Sequence, residues 1–310
     1  MENSDSTLGE ANRNEEKART ESLLTLAEAN WFHGVRTNPT FDQLQHLLVD
    51  CCRRLNAIHK VHYLPGVPKQ DEAESKPSIE RFSLQSRLEH ESLSAVVTLC
   101  GQRVVQAEVS LKYAKSASGF YRATAQPEFH WKMQQLLDAA NAIVRALQSL
   151  CQGRKKYGEC VQKGCSTADN ETDLHQFILS VFNAVKVDIK RARLALTMPK
   201  KKSLVELCNF HPIKSFVPPL PHDILLSFYL SSAKIVCAAY QVASANGRRI
   251  GGGASGLGGG VSSTQQTVTI FQAECLVPRL VDIVHLLNSA FAIAHNFTSN
   301  FCLSIARTEL

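Results

Sequence analysis

A chain of 310 residues with 44% hydrophobic and 20% charged residues has the balance of a folded globular protein, which excludes a disordered or low-complexity chain. The net charge of +6 is unevenly spread: residues 1–30 carry Glu2, Asp5, Glu10, Glu15, Glu16, Glu21 and Glu28 against Arg13, Lys17 and Arg19, a net of −4 that leaves +10 for the rest. Those remaining basic residues are scattered, with Lys200-Lys201-Lys202 and Arg53-Arg54 the densest runs, so the basic stripe of a nucleic-acid binder is excluded.

Residues 1–20 are polar and aperiodic and read as a disordered tail. Helical spacing starts at Leu23, with Leu26, Ala27 and Trp31 sharing its face. It is expected to break at Gly34 and Asn38-Pro39, because proline lacks an amide hydrogen and biases the preceding residue away from helix. Thr40 caps a second stretch in which Leu44, Leu47, Leu48, Cys51, Leu55 and Ile58 recur at helical spacing. The helical segment is thus 21–64, ending before Pro65-Gly66.

Over residues 79–126 the period falls to two. Phe82 and Leu84 alternate with polar neighbours, Ala95-Val96-Val97-Thr98-Leu99 is β-branched, and Ala107, Val109, Leu111 and Tyr113 oppose Glu108, Ser110 and Lys112. An antiparallel meander wet on one side is predicted. Helical spacing returns over 128–200. Pro127 precedes a stripe of Phe129, Met133, Leu136, Leu137, Ala140, Ile143, Val144, Leu147 and Leu150. A surface loop is expected over 152–169, and Asp169 or Asn170 caps a second stripe of Leu174, Ile178, Val181, Val185, Ile189 and Ala192.

The segment 216–277 is β-like again. Residues 224–230 and 235–242 read as a buried hairpin, with a buried helix as the alternative, and 246–264 as a flexible Gly-rich loop before the strand Thr267-Val268-Thr269-Ile270. Pro278 opens a last helix, 278–308, bearing Leu280, Ile283, Val284, Leu287, Ala290, Phe291 and Ala294. The expected class is therefore α+β: an antiparallel four-helix bundle domain from 21–64, 128–200 and 278–308, with a discontinuous antiparallel β-sheet domain formed from two sequence insertions, 79–126 and 216–277.

No catalytic constellation emerges. Gly251-Gly252-Gly253-Ala254-Ser255-Gly256 fits the spacing of a dinucleotide loop, but a strand rather than a helix follows it, and the pattern needs a helix N-terminus for the pyrophosphate. His59, His62, His130 and His285 lack partners, as do Glu108, Asp138 and Glu274. Cys51, Cys52, Cys100, Cys151, Cys208, Cys237, Cys275 and Cys302 lie in apolar or periodic segments and read as core residues. Cys160 and Cys165 have no second pair to complete a zinc site. The acidic N-terminus and the lack of an uncharged apolar run of about eighteen residues predict a cytosolic protein. In that compartment Asn170-Glu171-Thr172 and Asn296-Phe297-Thr298 are chance matches to the glycosylation acceptor pattern. No metal, cofactor or nucleic acid is expected, nor an enzyme.

Four segments together resemble the Rogdi family: Val96-Val97-Thr98-Leu99 through Gln106-Ala107-Glu108-Val109-Ser110-Leu111-Lys112; Trp131-Lys132-Met133-Gln134-Gln135-Leu136-Leu137-Asp138-Ala139; Arg191-Ala192-Arg193 with Pro218-x-Leu220-Pro221-x-Asp223-Ile224-Leu225; and Glu274-Cys275-Leu276-Val277-Pro278. The resemblance departs at 34–39, at 155–167 and in the glycine tract. It implies an elongated protein with a helical bundle and an antiparallel sheet region. It also makes Trp131, Lys132, Gln134, Gln135, Asp138, Arg191, Arg193, Leu220, Pro221, Asp223, Glu274 and Pro278 signature residues, structural or at an interface.

In function, the resemblance implies the small subunit of a RAVE-type complex that promotes assembly of the vacuolar proton ATPase. The implied partners are a large WD-repeat protein of the rabconnectin type and peripheral-sector subunits of the pump. Membrane association is then indirect, through those partners, with family members placed at vesicle or endolysosomal membranes, at synaptic vesicles in neurons and at the nuclear envelope. The alternative, motivated by the heptad-like spacing of Leu136, Ala140, Ile143, Leu147 and Leu150 and of Leu174, Ile178, Val181 and Val185, is a self-associating coiled-coil-like module with a vesicle-trafficking or nuclear role.

Overall fold

The structure is a computed structural model that describes residues 4–67, 78–86, 92–163, 168–210, 215–243 and 267–308. The Gly-rich tract at 246–264 and Cys165 lie outside these residues. The chain divides into two compact units, one of Met1–Ser75, Ala139–Leu194 and Asp282–Leu310, the other of Lys76–Asp138 and Ala195–Val281.

The first unit is built on aromatic side chains from four helices: α1 (Ser4–Arg54), α2 (Gln134–Lys163), α3 (Ala168–Thr197) and α5 (Pro278–Thr308). Phe182 of α3 stacks on Phe297 of α5 with ring centroids 4.3 Å apart, and Phe41 of α1 lies 5.0 Å from Phe182 and 6.3 Å from Tyr157 of α2. Phe32 stacks on Phe297 at 5.8 Å. Charged ties surround this cluster. Buried Asp188 accepts hydrogen bonds from Arg145 and Arg191, and Arg54 pairs with both Asp50 and Asp282.

α1 is longer than its sequence predicts. It runs through residues 4–20, read as tail, and through Gly34 and Pro39, read as an interruption. A proline inside a helix costs about 3 kcal/mol or more. Burial of Thr37, Phe41, Leu44 and Leu48 on one side, with Phe32 held against Phe297, sets tertiary contact against that cost. Thr40, expected to cap, instead donates its hydroxyl to the Arg36 carbonyl within the helix. α2 likewise continues through the expected loop to Lys163, because Tyr157 is buried against Phe41 and Gly153 lets Val181 of α3 approach closely.

The second unit contains one curled antiparallel half-barrel sheet of nine strands. These are β1 (Ile79–Gln85), β2 (Leu93–Cys100), β3 (Arg103–Lys112), β4 (Phe120–Ala125), β5 (Trp131–Lys132), β6 (Phe216–Val217), β7 (Ile224–Ser231), β8 (Lys234–Ala243) and β9 (Thr267–Leu276). The order is β6-β4-β3-β2-β1-β9-β8-β7, with β5 against β3. The predicted alternation holds in β3, where Ala107, Val109 and Leu111 are buried and Glu108 and Ser110 are not. The hairpin reading holds for β7 and β8, which turn at Ser232 and Ala233 with φ of 51° and 59°. Their amides donate to the carbonyls of Thr197 and Leu196, which caps the C-terminus of α3.

These features overturn the expected antiparallel four-helix bundle carrying a sheet in two insertions. The architecture remains α+β, but its largest element is a single sheet, joined across the two sequence segments by Gln85 opposite Glu274 and by Thr124 and Ala125 opposite Val217 and Phe216. Moreover, the second unit takes in the first turn of α2, the end of α3 and the first turn of α5. The first turn of α2, the last turn of α3 and the first turn of α5 bond to the sheet strands or their turns, through Gln135 with Leu230, Leu196 with Ala233, and Arg279 with Glu80 and Gly101. Helix α4 (Leu204–Phe210) was not predicted. It covers one face of β7 and β8 through Leu207, against Leu225, Tyr229, Val236 and Tyr240.

Candidate interaction surfaces

The signature residues fold into internal ties. Gln135, in the first turn of α2, is buried. Its Oε1 accepts the Leu230 amide at 2.7 Å, and its Nε2 reaches the carbonyls of Leu230 (3.0 Å), Met198 (2.8 Å) and Ala195 (3.0 Å). An amide side chain offers both a donor and an acceptor, so it stands in for a neighbouring strand at the edge residue Leu230 while also receiving the end of α3. Beside it, Gln134 donates to Asp138, and Asp138 also pairs with Lys200 at 3.2 Å. Trp131 of β5 sits between Phe216 and Phe228 at 5.5 and 5.4 Å, whereas Lys132 is exposed opposite Arg103.

A second tie is centred on Asp223. It accepts hydrogen bonds from the Tyr113 hydroxyl and from Lys115, both at 2.8 Å. Burial works against its charge, but these two donors outweigh it and hold the carboxyl below its ordinary pKa. Leu220 is buried next to it in sequence, and the Pro221 carbonyl accepts the Ile224 amide. The run Val217-Pro218-Pro219-Leu220-Pro221 passes β4, where the Tyr121 hydroxyl bonds to the Pro219 carbonyl. Prolines cannot donate to a ladder, so the run guards that edge of the sheet.

The remaining signature residues are separate from these ties. Glu274 pairs with Lys234 at 2.8 Å diagonally across β9 and β8, and Pro278 opens α5, where its missing amide hydrogen costs nothing. Arg191 is exposed beside Asp188, and Arg193 bonds to Asn288 and lies over the Phe291 ring. The twelve residues therefore form several local anchors rather than one site.

Two outward features were not singled out by sequence. The wet face of the sheet is a groove of about 680 Å³, crossed by the aligned row Gln85, Ser94, Ser110 and Arg122 from β1 to β4. Strand alternation carries the signal for a wet face in β1 and β3, with Gln85 and Ser110 on the polar side; the aligned row needs the register. The other feature is on α1, where Leu23, Leu24, Trp31 and Val35 are exposed. The seven-residue step from Leu24 to Trp31 carries a signal, but helical spacing from Leu23 places Leu26, Ala27 and Trp31 on one face with it.

No group of three His, Cys, Asp or Glu side chains among the described residues is placed to hold a metal ion. Burial pushes the thiols of Cys52 and Cys237 up to about 12, and that of Cys51 higher still. Across Pro278–Ser304, α5 is long and apolar enough to cross a membrane by length and composition, which the sequence reading did not anticipate. Ile283, Leu287, Ala290, Ala294, Phe297 and Phe301 form its buried face, and 33% of that apolar stretch is buried.

The family model described as Rogdi leucine zipper containing protein matches residues 28–255. The chain is 37% identical over 258 residues to the protein rogdi homolog of Caenorhabditis elegans, an alignment spanning 81% of this chain and 78% of that protein. It is 31% identical over 229 residues to protein rogdi of Drosophila melanogaster, spanning 72% of this chain and 74% of that protein. With the Homo sapiens homolog it shares 26% identity over 265 residues, 82% of this chain and 83% of that protein. On these matches the chain belongs to the Rogdi family.

Proposed function

We propose that this protein is a non-enzymatic adaptor subunit of a RAVE-type complex that promotes assembly of the vacuolar proton ATPase. Its partners in this reading are a large WD-repeat protein of the rabconnectin type and peripheral-sector subunits of the pump. The protein acts from the cytoplasm, at vesicle or endolysosomal membranes that it reaches through those partners. Family membership supports the reading. The observation that carries it is the use made of the signature residues: Gln135, Asp223 and Trp131 hold strands and helix ends in place, as a scaffold requires. The self-associating zipper has less support, because Leu136, Ala140, Ile143, Leu147 and Leu150 of α2 and Ile178, Val181 and Val185 of α3 are buried within the chain.

The test is affinity purification of the tagged full-length protein from cells under mild lysis. The expected result is co-recovery of the WD-repeat protein and of pump peripheral subunits in stoichiometric amounts. Recovery of neither removes the proposal. Sedimentation of the purified protein at micromolar concentration checks the alternative, which requires a dimer.

A further inference from the structure

Between α3 and α4 the chain runs from Met198 to Ser203 without helix or strand, and every residue of this segment is exposed. Three consecutive lysines, Lys200-Lys201-Lys202, stand directly before Ser203. Packing accounts for little of this charge. Lys200 pairs with Asp138 at 3.2 Å and Lys201 lies 5.8 Å from the centre of the Tyr229 ring, but the Lys200 side chain is 67% exposed, and ion pairs in water stabilise weakly. The Ser203 hydroxyl is at the surface too. It donates to Glu206 Oε2 at 2.9 Å and accepts the Glu206 amide at 3.2 Å, while the Ser203 amide donates to the same carboxylate oxygen at 2.8 Å. This reciprocal box starts α4, which has seven residues and holds to the sheet chiefly through buried Leu207, with Leu204 less deeply packed. A helix so short is not stable on its own, so its first turn can open while Leu207 stays seated.

We propose that Ser203 is a phosphorylation site for a basophilic serine/threonine kinase, which reads the three lysines before it and the leucine after it. Kinases discriminate substrates by charge pattern, and the substrate must lie extended across the kinase cleft. Lys200 to Leu204 meets both conditions, with cations at the three positions before the hydroxyl in a segment already free of regular structure. Ser94 and Ser110, fixed in strands, fail the second. The step is phosphoryl transfer from ATP. Ser203 Oγ attacks the γ-phosphorus and forms the new O–P bond, the bond from that phosphorus to the β,γ-bridging oxygen breaks, and ADP leaves. The hydroxyl proton passes to the kinase's catalytic carboxylate. A phosphoserine carries about −1.5 to −2 at pH 7, so residues 200–206 fall from +2, three lysines less Glu206, to about zero. The modified Oγ has no proton left to donate to Glu206, and two anions so close repel, so the carboxylate leaves the box.

The test incubates the folded full-length chain with protein kinase C and MgATP below its melting transition and maps the phosphate by mass spectrometry. Wild type is compared with Lys200→Gln/Lys201→Gln/Lys202→Gln and with the variant carrying arginine at the same three positions. Both variants keep Ser203 and its box, so neither removes the acceptor hydroxyl. Wild type should take up phosphate at Ser203 to near one per chain. The glutamine variant should lose about tenfold or more in initial rate, and the arginine variant should keep the rate, because the kinase reads charge rather than packing. Absence of phosphate at Ser203 in the folded wild type overturns the proposal, even where a peptide of residues 198–206 is modified, since packing of α4 then shields the hydroxyl. Equal rates for wild type and the glutamine variant overturn it as well. None of these outcomes depends on recovery of the WD-repeat protein, so the site and the adaptor reading stand or fall separately.

Discussion

Gln135 gives the most direct test of how the second unit is held. Substituting methionine keeps the side-chain volume while removing every hydrogen bond the amide makes. Leu230 is fully buried, so its amide and carbonyl are both left without partners, and the carbonyls of Ala195 and Met198 lose a donor at the end of α3. A buried backbone group orphaned in this way costs about 1–3 kcal/mol. The two groups of Leu230 therefore set a loss of about 2–6 kcal/mol, a large fraction of the roughly 5–15 kcal/mol that stabilises a typical domain. In urea, with a slope of about 2–3 kcal/mol per molar for a chain of this size, the midpoint should fall by about 1 M or more. Gln135→Glu should fare worse at pH 7, because a carboxylate would face three carbonyls. Its folded pKa is then raised, so its deficit should shrink as the pH falls toward the ordinary glutamate range, about 4.3. Hydrogen exchange at Leu230 should rise in the methionine variant. A methionine variant within about 0.5 kcal/mol of wild type would refute the reasoning, since a volume-preserving swap without orphaned groups costs little.

Four further outcomes follow from the packing. Gly153→Ala puts a Cβ 2.6 Å from Val181 Cγ1, so despite gaining about 1 kcal/mol of helix propensity it should destabilise, and in a Val181→Ala background the same change should become neutral or stabilising, as denaturant titration of the four proteins will show. Ser232→Gly relieves a non-glycine residue at φ 51° and should raise stability by about 0.5–1 kcal/mol; a decrease in melting temperature would contradict the assigned turn. Asp223→Asn should cost about 1 kcal/mol at pH 7. Because the folded state holds the Asp223 pKa below its unfolded value, its contribution is present above about pH 4 and is lost as pH falls through the folded value, so variant and wild-type stabilities should converge in acid. A thiol reagent should modify exposed Cys208 and Cys302 in the native protein and reach Cys51, Cys52 and Cys237 only on unfolding; mass mapping of the labelled residues decides it.

Much of the local structure was legible because periodicity reports which side of an element is apolar. The stripe from Leu136 to Leu150 and the alternation from Ala107 to Tyr113 each fix an element and its buried face. What periodicity does not report is the partner of that face. A period of two makes β1 and β9 strands but contains nothing that places Gln85 opposite Glu274, 189 residues later. Two β segments therefore read as two insertions when they form one sheet. Helical stripes suffer the same ambiguity. The first turn of α2 and the last of α3 could have met other helices, yet Gln135 and Leu196 bond to β7 and its turn. Helix α4 did carry a readable mark, since Ser203 and Glu206 form a reciprocal capping box in which each side chain bonds the other's backbone amide.

The outward surfaces were harder to read for a different reason. Core and interface draw on the same side chains, so an apolar residue on a helix does not declare which of the two it serves. In α1 the choice is settled by Phe41. Once that ring packs between Phe182 and Tyr157, the register of a continuous helix sends Leu44, Leu48 and Cys51 inward and carries Leu24, Trp31 and Val35 about 80–120° around from Phe41, out of that core. Breaking the helix at Pro39, as its local preference suggests, would uncouple the two halves and leave the orientation of Trp31 undetermined. The continuity of α1 through Pro39 is thus the feature that fixes the orientation of Trp31. A variant that restores the helical hydrogen bond, Pro39→Ala, should stiffen α1 without turning Trp31, whereas inserting one alanine between Pro39 and Phe41 should rotate Trp31 by about 100° and draw Phe32 off Phe297, which a shift in tryptophan emission and a lower melting temperature would report.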